Sequence, residues 1–121
     1  MTTNFQISEF LCHCCGQGAD IIKPGLLEAL QRVRNDWGKP MTIDDGYRCP
    51  KHNASPEVRG APNSAHLTGE AADIADGDGA LKAWMTEDML AIYGLWAEDY
   101  SYTRTWMHVQ IRPASKRIFR P

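Results

Sequence analysis

Two histidines and one aspartate are the residues of this chain best suited to chemistry. They lie in Ser64-Ala65-His66-Leu67-Thr68-Gly69-Glu70-Ala71-Ala72-Asp73-Ile74 and in Trp106-Met107-His108-Val109-Gln110. His66, Asp73 and His108 make a three-ligand set that leaves a fourth position free, the arrangement of a catalytic zinc. Other divalent ions also suit two imidazoles and a carboxylate. Gly69 falls between the first two ligands, which suits a ligand on a turn followed by one on a strand. The run around His108 alternates. On a strand, Trp106, His108 and Gln110 share one face, while Met107, Val109 and Ile111 point to the core. Trp106 then walls a groove or packs in the core. Gln110 donates to a substrate or a ligand, or lies on the sheet surface. Two neutral imidazoles and one carboxylate leave a net charge of about +1 on a divalent ion, and zinc in such a site lowers the pKa of its water towards ~7.

Around these residues the pattern Ser-x-His-x-x-Gly-x-Ala-x-Asp, followed by Trp-x-His, resembles a known family: the zinc D-Ala-D-Ala carboxypeptidases and phage L-alanyl-D-glutamate endopeptidases. That family shares its fold and zinc site with hedgehog signalling domains. Asp45-Gly46-Tyr47-Arg48-Cys49-Pro50 and Gly60-Ala61-Pro62-Asn63-Ser64 resemble the loop and lead-in of the same family. The resemblance spans roughly residues 40 to 112 and rests on several spaced polar positions at once. It implies that His66, Asp73 and His108 hold Zn2+. It implies that Arg48 binds a substrate carboxylate or the carbonyl under attack, for which a planar, permanently charged fork is suited. Ser64 matches the substrate-binding serine. Many members carry Glu or Asp three residues before the last histidine. Here that position is Thr105, which takes no proton at neutral pH. The nearest upstream carboxylates are Asp99 and Glu98. Either becomes the general base if a turn over Tyr100 to Arg104 returns it beside the metal, with Asp99 the first choice. Asp44 and Asp45 read better as strand-end and turn residues, Glu70 as solvated, and His13 and His52 as exposed.

The elements that must position these groups follow from periodicity and punctuation. Asn4 to Gly18 reads as extended, with one helical turn over Ser8 to Leu11. Leu26, Leu27, Leu30, Val33 and Trp37 recur at helical steps between Pro24 and Gly38, which suit the entry and exit of a helix. Strands are expected over Met41 to Asp44, Ala71 to Ala75, Thr105 to Ile111 and Lys116 to Phe119, and Gly94 to Trp96 begins a strand or a turn. Residues 48 to 65 read as a long functional loop. A second helix is expected over Leu81 to Tyr93, with Asp78 as its N-cap. The pattern is α+β, with a small antiparallel sheet and helices packed against it. This agrees with the hedgehog/D-Ala-D-Ala peptidase fold that the resemblance implies.

Composition limits the function further. With 121 residues, the chain reads as a single domain, 43% hydrophobic and 23% charged. A net charge of −2 argues against a nucleic-acid partner. No apolar run approaches the ~20 residues of a membrane span. The N-terminus has neither a basic start nor an apolar segment, so no secretory signal is expected and synthesis is expected in a cytoplasm. The histidine and aspartate set is joined by four cysteines, Cys12, Cys14, Cys15 and Cys49. These read as reduced thiols, as a disulfide from the cluster to Cys49, or as a structural metal site, although adjacent Cys14 and Cys15 rarely both ligate one ion. The function expected is a monomeric zinc peptidase cutting peptidoglycan stem peptides, as carboxypeptidase or endopeptidase. It would reach the wall after lysis or on a phage particle. The rival expectation is a zinc-binding module without activity, or a phage structural protein, on the same fold.

Overall fold

The computed structural model describes residues 5–120. Asn4, where the extended segment was expected to begin, lies outside the described residues. A 3-10 turn covers Ile7–Phe10 and buries Phe10. Helix α1 covers Pro24–Trp37, with Pro24 in its first turn and Gly38 closing it in a left-handed conformation (φ 73°). Proline costs nothing at a position whose N–H has no helical partner, and glycine adopts the left-handed exit without strain. Leu26, Leu30 and Val33 form the buried stripe of α1.

Five strands follow among the described residues: β1 (Ile43–Asp45), β2 (Ala71–Ala75), β3 (Trp96–Glu98), β4 (Trp106–Gln110) and β5 (Ile118–Phe119). They form one sheet in the order β1-β2-β4-β3-β5. The first four pair antiparallel, as expected. The edge strand β5 pairs parallel with β3, because the chain leaving β4 crosses the end of β3 before it turns back. The sheet is therefore mixed at one edge. Ala72, Ile74, Ala97, Met107 and Val109 of its inner face join Leu26, Leu30 and Leu90 in one core.

The helix expected over Leu81 to Tyr93 is two helices, α3 (Ala80–Trp84) and α4 (Glu87–Tyr93). Met85 is extended, and the Thr86 side chain caps α4 by accepting from Met89 N at 3.2 Å. A capping residue in the middle of an apolar stripe ends one helix and starts another. The buried Asp76 carboxylate caps α3, accepting from Leu81 N at 2.8 Å and Lys82 N at 3.0 Å. The expected cap, Asp78, accepts from Ala80 N at 3.1 Å. Within the expected loop of residues 48 to 65, Pro50–Asn53 forms a single helical turn, α2, and Ala65–Thr68 a 3-10 turn. Asn53 ties the loop together: its Nδ2 donates to Ala61 O at 2.9 Å and its carbonyl accepts from Gly60 N at 2.7 Å.

Candidate metal centre

Register lines up the strand-borne part of the site. Asp45 on β1 pairs with Asp73 on β2, and Asp73 pairs with His108 on β4. On β3, Trp96 pairs with Gln110 and Ala97 with Val109, so the next step places Glu98 opposite His108. Four polar side chains thus stand in one row across the sheet. Their strand neighbours Ala72, Ile74, Ala97, Met107 and Val109 face the core, as alternation requires. The other histidine of the site comes from a loop. The 3-10 turn over residues 65–68, capped by Ser64 Oγ accepting from His66 N at 3.2 Å, swings the fully buried His66 over this row. Gly69 closes the turn at φ 71°. A Cβ there would lie 2.2 Å from Ile21 O, so glycine is needed for both conformation and space.

His66, Asp73 and His108 each bring a ligand atom to within 4.8 Å of the others. Asp73 Oδ1 lies 3.2 Å from His66 Nε2 and 2.9 Å from His108 Nδ1. The far nitrogen of each ring is already engaged. His66 Nδ1 is 2.7 Å from Gly46 O, a backbone carbonyl that can only accept, so Nδ1 carries the proton. His108 Nε2 is 2.8 Å from Gln110 Oε1, while Gln110 Nε2 donates to Arg112 O at 2.9 Å. The amide orientation assigned by this network makes His108 Nε2 a donor too. Neutral imidazoles protonated in this way turn lone pairs towards Asp73. Three acceptors then face one point, an arrangement that repels itself unless a cation sits among them. The donor set therefore fits a divalent ion with N and O preference, and the outer hydrogen bonds fix the tautomers it needs. Where a proton rather than an ion lies between them, the rings become charged donors to Asp73: burial alone would raise its pKa, but the protonated histidines then hold it well below the usual carboxylate range. Burial lowers the His108 pKa, but the Asp73 carboxylate outweighs this and raises it.

Two clefts of about 220 and 230 Å³ adjoin the centre and share Ala61, Ser64, Glu98 and His108. One arm is walled by Arg48, Arg59 and Trp106, the other by Gln110, Arg112 and Arg120. The structure places the two acidic residues of β3 and its exit differently. Glu98 lines both arms, half-buried, and burial raises its pKa. Asp99, the first choice from sequence, is engaged in its own turn: its Oδ1 accepts from Ser101 N at 2.9 Å and Ser101 Oγ at 2.7 Å. It is the cap of its own turn, one residue out of phase with the row that faces the centre.

Arg48 lies at the edge of the centre. Its Nη2 donates to Ser64 Oγ at 3.4 Å, and its Nε lies 3.4 Å from Asp45 Oδ2. Gln110 is turned to His108, so it orients a ligand-bearing ring. Glu70 is paired with Arg112 at 3.0 Å and stands outside the centre. His13 is exposed, whereas His52 is half-buried, with its Nε2 4.0 Å from Asp45 Oδ1. Two contributors were missed from sequence. Gly46 acts through its carbonyl, and Asp45 lies in the polar row rather than in a turn. A register shift between Ile43 and Asp45 lets both contribute to opposite faces despite their equal parity.

A buried two-histidine, one-carboxylate centre at the floor of an open cleft is the constellation of a metallopeptidase. The family described as Peptidase M15 matches residues 3–110, and the chain belongs to that family. It is a zinc peptidase in general class. No protein of curated function matches it.

Proposed function

We propose that this peptidase cuts peptidoglycan stem peptides, and that it cuts within them. The observation that carries the reading is the two-armed cleft meeting at Glu98 and His108. A carboxypeptidase needs a site closed at one end, whereas arms on both sides let a peptide run across the centre. Arginines line both arms, and stem peptides carry free carboxylates that such planar cations bind in pairs of hydrogen bonds.

His66 Nε2, Asp73 Oδ1 and His108 Nδ1 would hold the zinc. When bound, zinc supplies a Lewis acid that polarises the scissile carbonyl and acidifies a water. Arg48, anchored by Ser64 and Asp45, holds the substrate carbonyl or a neighbouring carboxylate in the cleft. A Glu98 carboxylate oxygen takes the proton from the attacking water and returns it to the leaving amine, so that the peptide bond breaks without an amide anion. Burial suits Glu98 to this work, because a raised carboxyl pKa makes a better base. Gly46 O and Gln110 Oε1 keep both imidazoles in the tautomers described. Access to the wall follows lysis or carriage on a phage particle.

The test is isolated peptidoglycan incubated with zinc-loaded and with metal-stripped protein, the products being identified by mass spectrometry. New amino ends inside the stem peptide are expected from the zinc-loaded sample alone. Free D-alanine as the sole product would make it a carboxypeptidase. Tight zinc binding with no product from several wall types would favour the inactive binding module.

A further inference from the structure

A second donor cluster lies apart from the polar row. Cys12, Cys15 and Cys49 bring their sulfurs within 4.8 Å of one another. All four cysteines are free thiols in the structure. Two sequence segments build the cluster. The first is Cys12-His13-Cys14-Cys15-Gly16, a Cys-x-x-Cys-Gly knuckle of the spacing that zinc-binding loops use. Gly16 takes φ 68°, and its N–H donates to Cys12 O at 2.7 Å, which folds the second thiol back towards the first. The second segment is the start of α2, where Cys49 is the N-cap.

Backbone N–H groups point at the sulfurs. Cys49 N donates to Cys12 Sγ at 3.4 Å, and His52 N donates to Cys49 Sγ at 3.4 Å. Such donors favour a thiolate over a thiol. A tetrahedral zinc with bonds of about 2.3 Å holds its thiolates about 3.8 Å apart, so three sulfurs already within 4.8 Å need only a small contraction. A disulfide, with sulfurs about 2 Å apart, would join two of the three and leave the third beside it unused.

We propose that Cys12, Cys15 and Cys49 form a second, structural zinc site, its fourth position filled by solvent. Loading converts the thiols to thiolates and releases their protons to solvent, with no electron transferred. The site would staple the N-terminal segment to the stretch that carries the metal centre. Cys49 follows Arg48 directly, and Gly46 and Tyr47 already lean on Phe10: Tyr47 N donates to Phe10 O at 2.8 Å. The proposed ion is therefore a positioning device for Gly46 O and Arg48, and it touches no substrate.

The test counts zinc in protein purified under reducing conditions and reads the cobalt-substituted protein by absorption. About two zinc ions per chain are expected in the unaltered protein, and about one in each of C12S/C15S and D73A. The cobalt form should show sulfur-to-cobalt charge transfer, which C12S/C15S loses and D73A keeps. The unaltered protein decides the matter even if C12S/C15S fails to fold, since its cobalt spectrum needs no variant. One zinc per chain without a sulfur band would overturn the proposal, as would a mass lower by two hydrogens, which marks a disulfide.

Discussion

Asp73, Glu98 and His108 stand on strands, whereas Arg48, Ser64 and His66 stand on loops, and the two halves of the centre are held by different means. The strand half is fixed by register: β2 and β4 pair over five consecutive positions, with Asp73 opposite His108. A slip of one residue would turn every one of these side chains into the core, so core burial of Ile74, Met107 and Val109 holds the polar row in place. The loop half has no ladder. It depends on single hydrogen bonds, on Gly69, and on the packing of Gly46 against Phe10. The strand half should therefore tolerate loss of a polar side chain without unfolding, and the loop half should respond to small backbone changes at a distance from the ligand atoms.

The largest effects are expected on the strand half. Asp73→Ala removes the acceptor that both histidines face, so zinc binding and peptidase activity should both be lost while the circular dichroism spectrum stays native. Unfolding of this variant would show that the polar row, and not the core face, sets the register. Glu98→Gln should keep the zinc and lower kcat by about 10²- to 10⁴-fold, the range for loss of a general base. Asp99→Asn should leave kcat unchanged, because its carboxylate serves only the turn to Ser101. Reversed results for this pair would return the base to Asp99 and mean that β3 ends differently during turnover.

The next effect separates the halves directly. Both histidines have an outer hydrogen bond, one from a loop carbonyl and one from a strand side chain. Gln110→Leu and Gly46→Ala each remove or displace one of them, and each should weaken zinc binding by about 10- to 100-fold, the usual cost of an outer-shell change. They should differ in stability. A Cβ on Gly46 would lie 2.6 Å from the Phe10 backbone, so this variant should also melt at lower temperature, whereas Gln110→Leu should melt near the parent. Zinc titration beside thermal melts measures both. Equal melting of the two would mean that the loop absorbs the added methyl, and that the loop half is no softer than the strand half.

The same contrast governs what could be read from sequence. Helix α1, strand β2 and the facing of His108 were legible, because each rests on a regular repeat with clear end signals. The Peptidase M15 match over residues 3–110 agrees with the family resemblance seen in the spaced motif. Glu98 was legible in principle: Leu95 and Ala97 are fully buried, and continuing their alternation turns Glu98 to the other face. Which of Glu98 and Asp99 faces the centre was not settled from sequence, because the short strand's end was not placed and a single residue decides the face. Asp45 was not legible. The register shift that aims it arises from pairing with β2, which no local pattern carries. Gly46 contributes a backbone carbonyl, an atom every residue possesses. The break at Met85 was hidden by an apolar stripe that continues through both helices, although Thr86 was a readable cap.

The smallest effect lies at the seam between the halves. Arg112, just beyond β4, reaches back to the loop: its Nη1 donates to Asn63 O at 2.6 Å, its Nη2 to Thr68 Oγ1 at 2.8 Å, and its Nε to Glu70 Oε1 at 3.1 Å. Burial raises the Glu70 pKa, but hydrogen bonds from Thr68 and Arg112 outweigh it, and the carboxyl is held below its ordinary value. A depressed carboxyl stabilises the fold above its unfolded pKa of about 4.3, and that stability is lost as pH falls through the folded value. Both side chains are partly exposed, so solvent screening limits the contribution to under about 1 kcal/mol. Arg112→Ala should therefore cost less than about 1 kcal/mol near neutral pH by denaturant unfolding. Part of that cost, the part owed to ionised Glu70, should fade as the pH drops below about 4. A cost that stays constant across this range would assign the tether to the Asn63 and Thr68 bonds alone. The loop would then be held to the strands by uncharged contacts, and the seam would be insensitive to acid.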